Sequence, residues 1–328
     1  MTRASGPLLP RSKGQVNARS DRQNANLVQM LRPDNSIDTF KAAVQRTEFA
    51  GRMWVYSYQQ IPATLPEAAV KAVNQRLLSR YAKLTKSWTD DQNSIWILRL
   101  FMAAKLVMMA TLQANSLRFA GDVNLRVAGP HLRYYALLSL ARAVCLTLPE
   151  IDWAGGKVFT MTHERAIRET VHYIQSFDMK SAAAVNSLVR GAKAQREFID
   201  YRAPSSGDTG LEPMHQFEPY CRLLAELAQM NSELLDVSFE KHTSDGVFSI
   251  RESYVQEFAS IEIEGEQFID YEDARRLLYL MRKHPRPTSI KALLTDGHVE
   301  DFFGAWIGQS ENEPNFNPDD NLGVIFDV

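Results

Sequence analysis

The sequence predicts a mainly α-helical fold, a helical bundle with a smaller C-terminal α+β region containing a short antiparallel sheet. Three observations carry this. Apolar residues recur at three- and four-residue spacing through most of the chain. The spacing changes to strict alternation after residue 235, and Gly, Pro and Ser clusters separate the periodic runs. The expected organisation is a disordered basic arm at 1–36, the bundle at 37–204, a linker at 205–215, the α+β region at 216–308 and an acidic tail at 309–328.

The first 36 residues hold six basic and two acidic side chains with little periodicity, too few apolar groups to repay their ordering. Helical spacing begins at "SIDTFKAAVQRTEFAGRMWVYSYQQ", where Ser36 or Asp38 suits an N-cap. In "TLPEAAVKAVNQRLLSRYAKLTKSW", Pro66 fits a first turn, and Val70, Val73, Leu77 and Leu84 mark one face. "TDDQNSIWILRLFMAAKLVMMATLQANSLRFAG" is apolar around its circumference, which predicts a central helix buried on more than one side. Arg99 and Lys105 interrupt its apolar run, so no membrane span is expected.

After the "VAGP" break comes "HLRYYALLSLARAVCLTLPEIDW", and a Gly155-Gly156 turn separates it from "TMTHERAIRETVHYIQSF". Thr162 is placed to cap that helix, with Glu164 at the positive end of its dipole. "SAAAVNSLVRGAKAQREFIDYR" closes the bundle, stopped by Pro204 and the "SSGDTG" loop. "PMHQFEPYCRLLAELAQMNSELL" is a further helix. "DVSFEKHTSDGVFSIRES" reads as two strands around Asp245-Gly246, and "FASIEIEGEQF" as a second hairpin. Asp270 is the N-cap of "YEDARRLLYLMRK". The last 20 residues carry five acids and no base, a tail in which "GVIF" could pin to a sheet edge.

Composition narrows the function classes. Thirty-seven basic against 39 acidic residues give no whole-chain grip on nucleic acid, which leaves only a local basic surface. Cys145 and Cys221 sit in apolar helical runs without paired spacing, as buried free thiols do in a reducing cytoplasm. Walker, G-x-S-x-G, H-E-x-x-H and tandem C-x-x-C signatures are absent, and "AGGKVF" lacks the remainder of a phosphate loop. His163 and His172 lie nine apart, two and a half turns, and so face opposite sides of their helix. No metal site or cofactor is expected. A pocket between the bundle and the sheet would suit a small-molecule enzyme, but no motif supports one.

The succession "SLRFAGDVNLRVAGPHLRYYALLSLARAVCL", "MTHERAIRETVHYI" and "AQREFIDYRAP" is similar to the HEPN superfamily. A paired-tyrosine helix is followed by a loop to Thr-His and a closing helix with Arg and Asp-Tyr, over roughly residues 95–204. Proteins resembling this family are helical bundles that often dimerise. Many are metal-independent ribonucleases of toxin or phage-defence systems, and others are noncatalytic binding modules. The resemblance implies a cytoplasmic homodimer that cleaves or binds RNA, or a noncatalytic scaffold that docks a protein partner. Nuclease members carry an arginine followed, after four to six intervening residues, by a histidine. Imidazole moves a proton at neutral pH while guanidinium grips the phosphate.

Two places answer that pattern. Arg165 precedes His172 by seven residues, close to two turns, and Arg168 lies four before it, so His172 would transfer the proton and Arg165 or Arg168 would clamp. The competing reading is a solvated stripe with Glu164–Arg168 and Arg165–Glu169 pairs. In the second place Arg196 precedes Tyr201, and a phenol is a poor base at neutral pH. There Arg190, Lys193, Arg196 and Arg202 would grip phosphates with Tyr201 stacking on a base; the competing reading is an Arg196–Asp200 helix-surface pair.

Overall fold

The computed structural model describes residues 47–243, 248–283, 285–308 and 316–326. The basic arm, the helix expected to start at Ser36 or Asp38, the Asp245-Gly246 turn and residues 309–315 of the acidic tail lie outside the described residues. Helices dominate, as the spacing predicts, and each of the two sheets has two antiparallel strands.

The described chain opens on a correction. Residues 47–54 form a hairpin, β1 (Thr47–Phe49) against β2 (Arg52–Trp54), where helical spacing was expected. Ala50 and Gly51, with φ of 52° and 74°, supply the two left-handed positions that a tight hairpin turn requires. Trp54 Nε1 donates to the Phe49 carbonyl at 2.8 Å and locks the turn.

Helix α1 (Gln60–Thr64) has no side-chain N-cap of its own. Glu226 replaces it, accepting from the Gln59, Gln60 and Ile61 amides at 2.8–3.0 Å. One turn pair along, Glu233 accepts from the Tyr56 amide at 3.1 Å and the Tyr58 hydroxyl at 3.3 Å. Both glutamates belong to α7 (Phe217–His242), a long helix that runs against α2 (Glu67–Thr85) and α4 (Gly129–Thr147). Burial pushes both carboxyls above their ordinary range, and the amide donors pull against it.

The expected central helix is α3 (Asp90–Asp122), 33 residues long. Its start is a capping box in which Thr89 accepts from the Gln92 amide and Gln92 accepts from the Thr89 amide. By length and composition it could cross a membrane, yet 72% of its most apolar stretch is buried inside the protein, as in the core helix of a soluble fold. Arg99, inside that stretch, is 3% exposed and donates to the carbonyls of Leu146, Leu148 and Ile151. It satisfies the end of α4, where helix carbonyls lose their intrahelical partners.

Next come α5 (His163–Gln175) and α6 (Met179–Arg202), which pack on each other and on α4. Thr162 caps α5 as its sequence predicts, accepting from the Arg165 amide at 3.3 Å. Asp178 caps α6 by accepting from the Ser181 amide at 2.7 Å.

Two more expectations are overturned in the C-terminal third. Residues 236–242, read as a strand, continue α7, because Phe239 packs edge-to-face on Trp88 and extends the buried helical stripe. Residues 248–251 are irregular and lead into α8 (Glu252–Ala259). The second hairpin forms where alternation placed it, β3 (Ser260–Ile263) with β4 (Glu266–Ile269), turning at Glu264 and Gly265 with φ of 54° and 86°. Asp270 caps α9 (Tyr271–Lys283) through the Glu272 and Asp273 amides. Two short helices follow, α10 (Ile290–Leu293) and α11 (Asp296–Gly304).

Residues 316–326 are no loose tail. Two 3₁₀ turns kinked at Asn321 span Pro318–Val324, and Asn115 of α3 donates to the Pro318 and Asn321 carbonyls at 3.0 and 3.1 Å. "GVIF" meets the core and not a sheet edge: Ile325 is fully buried, and Phe326 stacks on Tyr56 with centroids 4.6 Å apart.

Candidate functional site

The three helices α4, α5 and α6 bring one aromatic and cationic cluster together around His163. Tyr134 and Tyr135, the paired tyrosines, project from the first turns of α4. His163 is the first residue of α5, fixed by the Thr162 cap, and Lys193 and Arg196 come from the middle of α6. Arg142 lies two turns beyond Tyr135 on α4.

Contacts in this cluster are specific. The Tyr134 hydroxyl and His163 Nδ1 are hydrogen-bonded at 3.0 Å. Tyr135 stands perpendicular to the imidazole with centroids 6.0 Å apart, and the Arg196 guanidinium lies over the Tyr134 ring at 5.2 Å. Arg142 donates to the Met161 carbonyl at 2.9 Å, which ties α4 to the residues just before the α5 cap. Tyr134 is fully buried and His163 half-buried.

Electrostatics here favour a neutral imidazole. Burial first, and then the charges of Arg142, Arg196 and Lys193, pull the His163 pKa below 6.5. Burial likewise pushes the Tyr134 phenol up, so its proton stays in place at neutral pH. Arg142 and Arg196 share a further feature: the Nε of each is buried without a hydrogen-bond acceptor among the described residues. A buried donor left unpaired costs about 1–3 kcal/mol. Both donors belong to side chains whose charges act on His163.

The residues singled out from sequence are distributed differently. His172 is exposed, in a shallow groove of about 420 Å³ with Arg168, Asn186 and Arg190. Arg165 lines neither this groove nor the neighbouring depression that His172 shares with Arg76, Arg80 and Glu150. The cations beside His172 are already answered, Arg168 by Glu169 and Arg190 by Glu164, each at 2.8 Å. A solvated polar stripe was thus the right general description, with different partners: Glu164 reaches across to α6 where a pair with Arg168 was expected, and Glu169 takes Arg168 where Arg165 was expected.

At the second place, the expected Arg196–Asp200 pair is present at 3.9 Å, and Asp200 also meets His131 Nε2 at 2.8 Å. Lys193 lies 3.8 Å from Glu197. Tyr201 is 74% exposed beyond this group, beside the exposed Arg202 at the helix end. Arg196 is therefore not an outer phosphate contact on a par with Tyr201 and Arg202. Its side chain is 14% exposed and turned inward onto the tyrosines.

Sequence spacing missed His163 because its partners come from two other helices, and no spacing within α5 reports them. The available signal was the Thr-His step after a tyrosine pair, where a capped helix start holds an imidazole in a fixed place. Among the described residues, no three His, Cys, Asp or Glu side chains converge to hold a metal ion. Comparison of the chain with family models, with curated proteins and with solved structures returns no match.

Proposed function

We propose that the chain binds the sugar-phosphate backbone of RNA at the Tyr134–His163–Arg196 cluster and cleaves it there. The observation that carries this is the buried Nε donors of Arg142 and Arg196, without acceptors among the described residues, on side chains whose charges act on a neutral imidazole. In RNA the 2′-hydroxyl is the nucleophile, so an imidazole base and a guanidinium clamp supply the chemistry the strand needs. His163 takes the 2′-hydroxyl proton, the 2′-oxygen bonds to phosphorus, and the bond to the 5′-oxygen breaks as that oxygen gains a proton from water. Arg142 and Arg196 meet the charge that develops on the phosphoryl oxygens. The proposed step uses the tautomer in which Nδ1–H donates to the Tyr134 oxygen, which leaves Nε2 as the base.

Helix α6 adds a local excess of positive charge to this site. Five basic and two acidic side chains lie on that helix, in a chain of net charge −2. The resemblance to the HEPN superfamily agrees with a nuclease of a toxin or defence system, acting as a homodimer in the cytoplasm. Free, buried Cys145 and Cys221 suit that reducing compartment.

Labelled RNA and DNA of one sequence, incubated with the purified chain and a chelator, test the reading. RNA cleavage with DNA left whole is the expected result, slowed about 10²–10⁴-fold by His163→Ala and unchanged by His172→Ala. Cleavage that survives His163→Ala overturns the assignment of the base. RNA that is neither cut nor bound overturns the reading and favours a noncatalytic scaffold, for which the exposed apolar hairpin residues Ile261, Ile263 and Phe268 speak.

A further inference from the structure

A cavity of about 880 Å³ opens between α3, the loop at 153–160, α8 and the second hairpin, none of which contributes to the His163 cluster. That volume is within the roughly 300–1,000 Å³ of small-molecule sites. Its deep wall is a chain of aromatic rings in mutual edge contact. Trp153 meets Phe159 at 5.1 Å and 89°, and Phe159 meets Phe258 at 5.1 Å and 81°, with Tyr254 beside Trp153 at 6.4 Å. Ile261 and Phe268 of the hairpin, 49% and 54% exposed, stand at the mouth.

Charge around this apolar wall is unequal. The lining carries four carboxylates, Glu257, Asp270, Glu272 and Asp273, against two ammonium groups, Lys105 and Lys157. Lys105 is already held by Asp273, with Asp270 at 3.8 Å, and Glu272 is held by Arg275. Glu257 has no hydrogen bond or ion pair among the described residues. Its Oε1 stands 3.6 Å from where a Cβ on Gly156 would lie, so it faces the loop that carries Trp153. Lys157, exposed on the same loop, is the one lining cation without an ion pair among the described residues. Aromatic faces carry negative quadrupole charge and attract cations, so walls and net carboxylate charge select in the same sense.

We propose that this cavity binds an apolar organic cation, an aryl- or alkylammonium whose body lies against Trp153, Tyr254 and Phe258 and whose charge is met by Glu257. Neutral analogues occupy the same walls more weakly, and anions are disfavoured by the surrounding carboxylates. The site stands apart from the RNA reading, since none of its residues serves both.

Calorimetric titration of the full chain with 2-phenylethylammonium, 2-phenylethanol and 3-phenylpropionate tests it. The ammonium is expected to bind about tenfold more tightly than the alcohol, and the carboxylate more weakly than both. Glu257 is exposed, so Glu257→Gln leaves the fold intact; it should remove most of the ammonium preference while the alcohol binds as before. Trp153→Leu should weaken ammonium and alcohol together. Carboxylate binding as tight as ammonium, an ammonium preference unchanged in Glu257→Gln, or no binding by any of the three overturns the proposal.

Discussion

Replacing Arg99 with methionine keeps the length and apolar stem of the side chain and removes its charge and donors. Arg99 donates to the Leu146 carbonyl at 2.7 Å, Ile151 at 2.9 Å and Leu148 at 2.6 Å, with Cys145 more distant at 3.4 Å. Its guanidinium also lies 4.0 Å from the centre of the Trp96 ring. Three hydrogen bonds from a charged donor are worth about 1.5–3 kcal/mol each, some 5–9 in all. Against them stands the cost of burying the cation, which draws its pKa from 12.5 to about 10. At about 1.36 kcal/mol per pH unit that cost is roughly 3 kcal/mol. The difference is about 2–6 kcal/mol, in line with the roughly 3–5 kcal/mol lost when one partner leaves a buried polar arrangement. Out of a total near 5–15 kcal/mol, this is a large share. Urea unfolding followed by far-ultraviolet dichroism and tryptophan fluorescence measures it, read as a shift in midpoint at constant slope. Arg99→Lys, which keeps the charge and loses the fork, should fall between wild type and Arg99→Met. A loss below about 1 kcal/mol for Arg99→Met would show that the end of α4 does not depend on these bonds and would refute the reasoning.

Three other outcomes follow from the same structure. Both oxygens of Glu226 are acceptors, so the Glu226→Gln amide sets an N–H against an N–H and should cost about 2 kcal/mol in the same unfolding experiment. His298, 6% exposed, bonds the Leu293 carbonyl through Nδ1 at 3.2 Å and stacks on Phe101, and burial draws its pKa from 6.5 to about 4. The unfolded chain therefore binds the proton first as pH falls. Stability is whole above pH 6.5 and about 3 kcal/mol lower by pH 4 on this account, a slope that His298→Gln should flatten and that acid titration of stability would show. Deleting residues 316–328 removes the fully buried Ile325 and the Phe326–Tyr56 stack, and should lower the melting temperature by several degrees in calorimetry; an unchanged midpoint would return this segment to the status of a tail.

The Arg99 and Glu226 arrangements mark where sequence stops being informative. Alternation at residues 260–269, the Thr162 and Asp270 caps and the all-round apolarity of α3 are local signals, each set by a residue and its neighbours within one turn or one strand pair. They were legible for that reason. The 47–54 hairpin was not, because a few apolar residues around Ala50-Gly51 fit either period, and the strand was chosen by Trp54 folding back onto Phe49. In residues 236–242 Val237 and Phe239 alternate with polar side chains as in a strand, yet packing of Phe239 on Trp88 keeps them helical.

By itself the sequence determined the helical class, the central helix, the Thr162 and Asp270 helix starts and the second hairpin, since these depend on periodicity and capping chemistry within short segments. Only the tertiary structure decided which histidine lies beside the Arg142 and Arg196 side chains, each with a buried Nε lacking an acceptor among the described residues. His172 satisfies a spacing rule but points to open surface, while His163 meets Tyr134, Arg142 and Arg196 through the packing of three helices. Desolvation and convergence, which lower the His163 pKa and bring guanidinium charges to it, arise from residues as far apart as 134 and 196, and no local pattern encodes them.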